Sequence, residues 1–397
     1  MRIIYIHQYF VTPEEGGAVR SYHLAKGLVE AGIDVEMITT YNDNHYQLKE
    51  IDGIKVHYLP VPYDNSFGFY RRVWAFYQFV RHAKRLLKRL QQADLLYITS
   101  TPLTTGLIGL WAKKKLGLSY IFEVRDLWPE APIQVGAIKH KWLKKVLYKL
   151  EKHVYQQASQ IIGLSEGICD YIHAVVPGKK IHLIPNFSNV EFFTPSIEKD
   201  LAFLRKMGWK LDHLTFAYTG AVGDVNAVDE LVKLADLAQH KGKNWQFAIM
   251  GKGKQLDTVK AQSQHLGLKN MRFLPFGDKG QVRQLLGHAD LSFISFDHLP
   301  ILQTNSPNKF FDAIAMGNAI LINHQGWVWN LVEEHGIGLF FDYKEPKDTL
   351  RELEKLEGNP ELLADMKRRS RELAISRFSS SVAVQKLLIT LGDDWSR

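Results

Sequence analysis

The 397-residue sequence contains a single cysteine, Cys169, so no disulfide can close within it, and nothing asks for an oxidising compartment. No apolar run approaches the ~18 residues needed to cross a bilayer. The opening MRIIYIHQYF reads as a buried strand, without the basic region and small-residue cleavage site of a secretory leader. Sixteen histidines are scattered with no HxxxH spacing, so no metal and no other cofactor is expected. The dinucleotide fingerprint GxGxxG is missing, which leaves nicotinamide binding unsupported. Low-complexity stretches and internal repeats are lacking as well. What remains is an ordinary packed composition, 46% hydrophobic and 23% charged, read as a cytosolic protein. At about 150 residues per domain, two domains is the simplest count.

The net charge of +8 is unevenly placed. Residues 1–195 hold 24 Lys/Arg against 17 Asp/Glu, a surplus of 7, and the remainder holds 26 against 25. Residues 70–92 carry seven Lys/Arg, among them Arg71, Arg72, Arg81, Lys84 and Arg85, with no acid. Residues 139–153 carry six lysines, including Lys141, Lys144 and Lys145, opposed only by Glu151. Helical spacing predicts one face of Trp74, Tyr77, Val80 and Lys84, and another of Trp142, Val146 and Lys149. Basic helices with aromatics suit an anionic membrane surface, where each cation adds roughly 1 kcal/mol. The alternative is two ordinary surface helices with apolar stripes against the core. No nucleic-acid recognition motif accompanies the charge, so nucleic acid is not an expected partner.

Along the chain, short β-branched runs alternate with helical patterns, which predicts crossover units and mostly parallel sheets. Strands are expected at Ile3–Ile6, Val35–Ile38, Val56–Leu59, Leu95–Ile98, Tyr120–Glu123 and Gln160–Gly163. The second half repeats this at Thr215–Thr219, Phe247–Met250, Met271–Leu274, Leu291–Ile294, Ala319–Ile322 and Gly338–Phe341. Residues 181–196, with two prolines and no periodicity, read as the hinge. The expected division is an N-terminal domain over 1–190, a second over 191–375, and a C-terminal helix over 376–397 that packs back on the first. Two doubly wound α/β sheets would place a ligand cleft at the carboxyl ends of their strands.

Three glycine-bearing loops follow strands: Gly16-Gly17, Gly220 to Gly223, and Gly251-Lys252-Gly253-Lys254. Each offers backbone amides, and Lys254 a cation, to a phosphate. The most specific segment is QTNSPNKFFDAIAMGNAILI, residues 303–322. Ser306 is expected to cap a helix and Pro307 to open it. Lys309 would then stand near a diphosphate, and Asp312 one turn on would accept from a sugar's vicinal hydroxyls. A lysine and an aspartate at i, i+3 also commonly form a surface ion pair.

EEGGAVRSYHLAKGL, EVRDLWPE (123–130), IPN (184–186) and SPNKFFDAIAMGNAI (306–320) together resemble the retaining family-4 glycosyltransferases of GT-B fold, over essentially the whole chain. The nearest likeness is to the bacterial branch that builds surface polysaccharides, including transferases of fucosamine-type sugars. The resemblance implies that Asp312, at the second acid of the family's glutamate-x7-glutamate motif, holds the donor ribose, while Thr304 stands where the family has the first acid. Amides near Ser306 and Asn308 would then serve the donor sugar. Arg125 and Asp126 stand where many members have His-Asp, and Asp126 would orient acceptor or sugar.

The implied activity is transfer of an N-acetylated hexosamine or 6-deoxyhexosamine to a polyprenyl-diphosphate-linked acceptor, with anomeric retention. A uridine diphosphate-sugar donor and a peripheral position on the inner face of the plasma membrane go with it. Two other readings share the architecture: a nucleotide-sugar epimerase, and a membrane-surface binding protein without catalysis.

Overall fold

A computed structural model describes residues 1–17, 19–64, 67–90, 92–195 and 200–395. It divides into two compact units. Residues 1–185 form the first with 304–306 and 381–397, and residues 186–303 and 307–380 form the second. The division at Pro185 falls inside the proline-bearing 181–196 segment, whose last residue, Ser196, lies outside the described residues.

The first unit is built on β1 (Arg2–Ile6), β2 (Asp34–Tyr41), β3 (Gln47–Ile51), β4 (Ile54–Pro60), β5 (Leu95–Thr99), β6 (Tyr120–Val124), β7 (Ile161–Gly163) and β8 (Ile181–Leu183). Their spatial order is β3-β4-β2-β1-β5-β6-β7-β8, parallel except for the β3–β4 hairpin. Two of these strands run against expectation. β3 is a polar edge strand, QLKEI, whose side chains leave little apolar signal. β8 makes a strand of Ile181–Leu183, which the sequence reading gave to the hinge. The inner strands β1, β5 and β6 are buried on both faces, which is why their sequences run apolar without alternation.

Arg20, on the helix Arg20–Glu30, is fixed beneath this sheet. Its guanidinium donates to Glu123 Oε2 from Nε (3.1 Å) and Nη2 (2.9 Å), and to the carbonyls of Ile184 (2.8 Å) and Pro185. Tyr97 Oη donates to the same carboxylate oxygen at 2.6 Å. Burial alone would raise the Glu123 carboxyl, but Arg20 and Arg125 hold it below its usual value. Such a pair contributes little net stability when complete, yet losing one partner costs about 3–5 kcal/mol. The last helix, Ser380–Trp395, lies in this unit against Arg20–Glu30, so closely that a Cβ on Gly27 would meet Val384 at 2.4 Å.

The second unit holds β9 (Thr215–Ala221), β10 (Gln246–Lys252), β11 (Met271–Leu274), β12 (Leu291–Ile294), β13 (Ala319–Ile322) and β14 (Gly338–Phe340), in the order β11-β10-β9-β12-β13-β14. All its pairings are parallel. Alternate residues feed two apolar layers. Ala217, Ala248, Ile294, Ile320 and Ile322 face one, and Phe216, Phe247, Ile249, Phe293 and Leu321 the other. Arg371 closes the unit by donating to the carbonyls of Val190, Phe193 and Ala315. The expected helical C-terminus is three helices, Pro346–Glu357, Pro360–Arg377 and Ser380–Trp395.

One buried acid in the first unit has no cation beside it among the described residues. Glu151 accepts from Tyr155 Oη and Tyr171 Oη, each at 3.2 Å, and burial pushes its carboxyl up to about 8. A raised acid favours the fold when protonated, so this contribution is full below the unfolded value near 4.3 and is lost as pH rises towards 8. Glu151→Gln is therefore expected to raise the melting temperature at pH 8.5, with the gain shrinking towards pH 5. Thermal melts across that range check it.

Candidate functional site

In each sheet the chain reverses its direction of winding once, between β1 and β5 and between β9 and β12. Ligands of doubly wound sheets bind outside the carboxyl ends of the strands at that switch point. In the second unit, Lys309 stands at this position, and its Nζ donates to Tyr218 Oη (3.0 Å), near the end of β9, and to the carbonyl of Ser295 (3.2 Å), just past β12. The ammonium also faces the rings of Tyr218 and Phe296, at 4.3 and 4.9 Å from their centroids. No carboxylate pairs with it among the described residues. Burial lowers its affinity for the proton, to a pKa of about 7. An anion brought beside it would hold the proton on.

Asp312 does not pair with Lys309 three residues before it. Its carboxylate accepts from Lys279 Nζ at 2.6 Å and from Ser188 Oγ at 3.0 Å. Each oxygen keeps acceptor capacity for a further bond. Lys279 is a residue that sequence reasoning missed; it opens the helix Lys279–His288, behind a capping box between Asp278 and Gln281. The capping box is visible in the sequence, but the partnership with Asp312, 33 residues away, is not.

The helix carrying both residues begins one position later than expected. Its first residue is Asn308 and its N-cap is Pro307, so the N-cap position falls one residue after Ser306. Thr304 to Ser306 group with the first unit, where Ser165 Oγ donates to the Thr304 carbonyl at 2.5 Å. First-turn amides of a helix, Asn308 among them here, are groups that suit an anion.

The glycine loops divide into used and open amides. Gly223 N–H, expected to face a phosphate, donates within its own loop to Asn226 Oδ1 at 3.0 Å. Gly251 and Gly253 are needed for close approach: a Cβ would meet Gly220 O at 1.9 Å and Val222 O at 2.3 Å. Gly220, with φ +140°, lies in the region that favours glycine. Lys254 is exposed and paired with Asp224 at 3.0 Å. Its neighbour Lys252 covers the half-exposed ring of Phe276, 4.0 Å from the centroid.

In the first unit, Gly16 and Gly17 have φ values of +73° and +86° in the turn after β1, and Gly16 N–H donates to Pro13 O at 3.2 Å. The Gly17 amide has no backbone partner among the described residues. Past β6, Arg125 Nη1 lies 3.0 Å from His7 Nε2. His7 was missed in the sequence, although it follows β1 directly. Burial, reinforced by Arg125, keeps it neutral, so Nε2 accepts from the guanidinium. Asp126 accepts from Thr101 Oγ1 at 3.3 Å, and burial raises its carboxyl against the pull of Arg125.

The basic helices are Phe69–Leu87 and Lys141–Gln157, both against the helix Gly106–Leu116. On the first, Tyr70, Val73, Trp74 and Tyr77 are exposed, but Val80 is buried with Phe79 and Ala83. This corrects the expected face, since six residues along a helix turn the side chain by 120°. Arg71, Arg81 and Arg85 are exposed, while Arg72 and Lys84 are half-buried. On the second, Trp142 and Val146 stand exposed beside Lys141, Lys145 and Lys149, and Lys144 is half-buried. No helix among the described residues is long and apolar enough to cross a membrane. No group of three His, Cys, Asp or Glu among them is placed to hold a metal ion.

Residues 15–186 match the profile of a glycosyl transferase 4-like domain, and residues 202–373 that of glycosyl transferases group 1. The probable glycosyltransferase WbjE of Pseudomonas aeruginosa is 20% identical over 261 residues, 64% of this chain and 64% of that relative's length. Among solved structures, sucrose-phosphate synthase from Thermosynechococcus elongatus superposes with a TM-score of 0.81 at 14% identity, covering 100% of this chain and 99% of the other. Anabaena HepE in complex with UDP-glucose gives 0.71 at 16%, covering 99% and 100%. WaaG, a glycosyltransferase involved in lipopolysaccharide biosynthesis, gives 0.67 at 15%, covering 97% and 98%. At these identities the structural likeness speaks to the fold, which is GT-B.

The enclosed amine yields a test of its own. A base whose proton affinity is depressed in the fold costs stability below its folded value, and that cost disappears as pH rises to its unfolded value near 10.4. Lys309→Met keeps the aliphatic stem without the charge. The variant should melt higher than wild type at pH 6.5, with the difference diminishing by pH 10.

Proposed function

The chain belongs to the family-4 glycosyltransferases of GT-B fold, and from that premise we propose that it moves a sugar from a uridine diphosphate-sugar to a polyprenyl-diphosphate-linked acceptor, with retention at the anomeric carbon. The observation that carries this reading is Lys309, an enclosed amine with only neutral partners at the switch point of the second sheet. Its neighbours fit an extended donor. From β11 to β12 the carboxyl edge spans three strand spacings, roughly 14 Å. Phe276 under Lys252 offers a ring to the base at one end. Asp312 and Lys279 meet the ribose hydroxyls, and Lys309, Gly220 and the amides at Asn308 meet the diphosphate. The structures of HepE with UDP and with UDP-glucose support the choice of base.

Charge development on the departing diphosphate is what such a site must stabilise, and fixed cations and amides do this without reorganisation. Lys309 and the first-turn amides at Asn308 supply that need in the second unit, and the reading calls for no metal. The bond from the anomeric carbon to the diphosphate breaks as the acceptor oxygen bonds on the same face. The acceptor proton passes to the leaving phosphate oxygen. Arg125, oriented by His7, and Asp126, oriented by Thr101, position the acceptor in the first unit.

A lipid-linked acceptor fits the exposed aromatics. The helices bearing Tyr70, Trp74, Tyr77, Trp142 and Val146 both begin after carboxyl ends of strands, β4 and β6, the same edge that carries Gly17 and Arg125. We read them as resting on the anionic inner face of the plasma membrane, with Arg71, Arg81, Arg85, Lys141 and Lys145 beside them. The product is then a surface polysaccharide such as O-antigen or capsule, and the sugar an N-acetylated hexosamine or 6-deoxyhexosamine of the fucosamine type. The part played by WaaG in lipopolysaccharide biosynthesis supports that setting.

Calorimetric titration with UDP, GDP and NAD tests the donor site. UDP should bind wild type, and Lys309→Met and Asp312→Ala should each weaken it at least about tenfold, one lost charge-assisted contact, while staying folded. Equal binding by the variants would refute the site. Flotation with anionic vesicles should capture wild type and lose it on Trp74→Ser with Trp142→Ser; unchanged flotation of the double variant would refute the membrane surface.

A further inference from the structure

Beyond Lys309 on the same edge of the second unit lies a polar cluster that the donor reading does not use. Glu230, buried in the first turn of the helix Asp229–His240, accepts from Asn323 Nδ2 at 2.7 Å through one oxygen. Its other oxygen lies 2.9 Å from His298 Nε2. Burial raises this carboxyl, with Asn323 and His298 opposing. Asn323 is itself fixed, since its Oδ1 accepts from the Phe296 amide at 3.0 Å and its Nδ2 also donates to the Phe296 carbonyl at 3.0 Å. The His298 ring stacks on Tyr343, 3.9 Å between centroids at 22°.

The imidazole is thus held in position and in rotation. Its Nε2 faces a carboxylate and so carries a proton. Nδ1, by contrast, has no partner among the described residues, and the side chain is 33% exposed. A surface histidine with no task is rarely locked by a buried acid on one side and an aromatic ring on the other; second groups of this kind orient a ring nitrogen that has something to meet. The cluster also adjoins the diphosphate position directly. Phe296, whose ring faces the Lys309 ammonium, is two residues before His298 and lies 5.1 Å from the His324 ring. Burial first, and then the nearby Lys309 and His298, push His324 down to about 3, so it stays neutral between them.

We propose that His298, oriented by Glu230 and Tyr343, is a specificity-determining residue that receives a hydroxyl or acylamino N–H of the donor's sugar at Nδ1. The inference rests on the donor reading, in which Lys309 marks the diphosphate. The sugar follows the diphosphate along the strand ends, and past Lys309 the edge is lined by the loop after β12, where His298 stands. Glu230 is a positioning residue and does not touch the donor.

The test separates nucleotide from sugar. Wild type, His298→Ala, His298→Asn and Glu230→Gln are titrated with UDP and with UDP-N-acetylglucosamine. All four should bind UDP within about twofold of one another. His298→Ala should weaken UDP-N-acetylglucosamine about tenfold, the loss of one hydrogen bond. His298→Asn, which keeps a polar atom near the Nδ1 position, should recover part of that loss, and Glu230→Gln should fall between. Parallel weakening of both ligands, or no change in either, overturns the inference and leaves the donor site standing. Failure of wild type to bind either ligand overturns the donor reading, and this inference with it.

Discussion

A strand in a parallel sheet can be followed only by a crossover, and this constraint orders the rest of the molecule. Every helix that connects two neighbouring parallel strands returns the chain to the amino edge, so every parallel strand delivers its next loop to the carboxyl edge, β3 alone running the other way. Residues far apart in sequence are collected there without any local signal. Tyr218, Ser295 and Lys309 meet because β9 and β12 are neighbours. His7 and Arg125 meet by the same rule in the first unit. Burial on both faces of each sheet supplies the driving force, and the sites occupy the edge to which the crossovers deliver the loops.

Charge inside this frame is handled in two ways. The Arg20–Glu123 ion pair is reinforced by Tyr97 on the same carboxylate oxygen and by two backbone carbonyls on the guanidinium, and it serves the fold. Both residues belong to sequence blocks that carried the family resemblance, so part of that likeness is structural rather than catalytic. Lys309 is the opposite case. It has aromatic faces, a hydroxyl and a carbonyl but no counter-ion among the described residues, an arrangement that is incomplete until an anion arrives. A cation left short of its partner in the empty state is how a site reserves electrostatic stabilisation for its ligand.

The fold was legible wherever burial was two-sided. All six strands of the second sheet stand close to their expected places, because apolar runs such as FAYT and AILI need no tertiary information. β3 escaped because an edge strand with one solvated face carries little apolar pattern. In the site, the chemical types were readable and the partnerships were not. Lys309 and Asp312 stood out in sequence as a pair, yet each binds a group brought from another strand end. The chain is still extended at Pro307, so the helix begins at Asn308, one position later than the sequence suggests. His298 gave no signal, since its meaning depends on Glu230 and Tyr343, 68 and 45 positions away in the chain.

The central claim is that a nucleoside diphosphate settles on the carboxyl edge of the second sheet around Lys309. Hydrogen–deuterium exchange with and without saturating UDP tests it most directly, because it reports location rather than affinity. The account predicts slowed exchange in the loop after β9, the glycine-lysine loop after β10 and the first turn at Asn308, with little change at the amino edge around Trp209 and Asn270. Protection confined to that amino edge, or to the first unit, would contradict it.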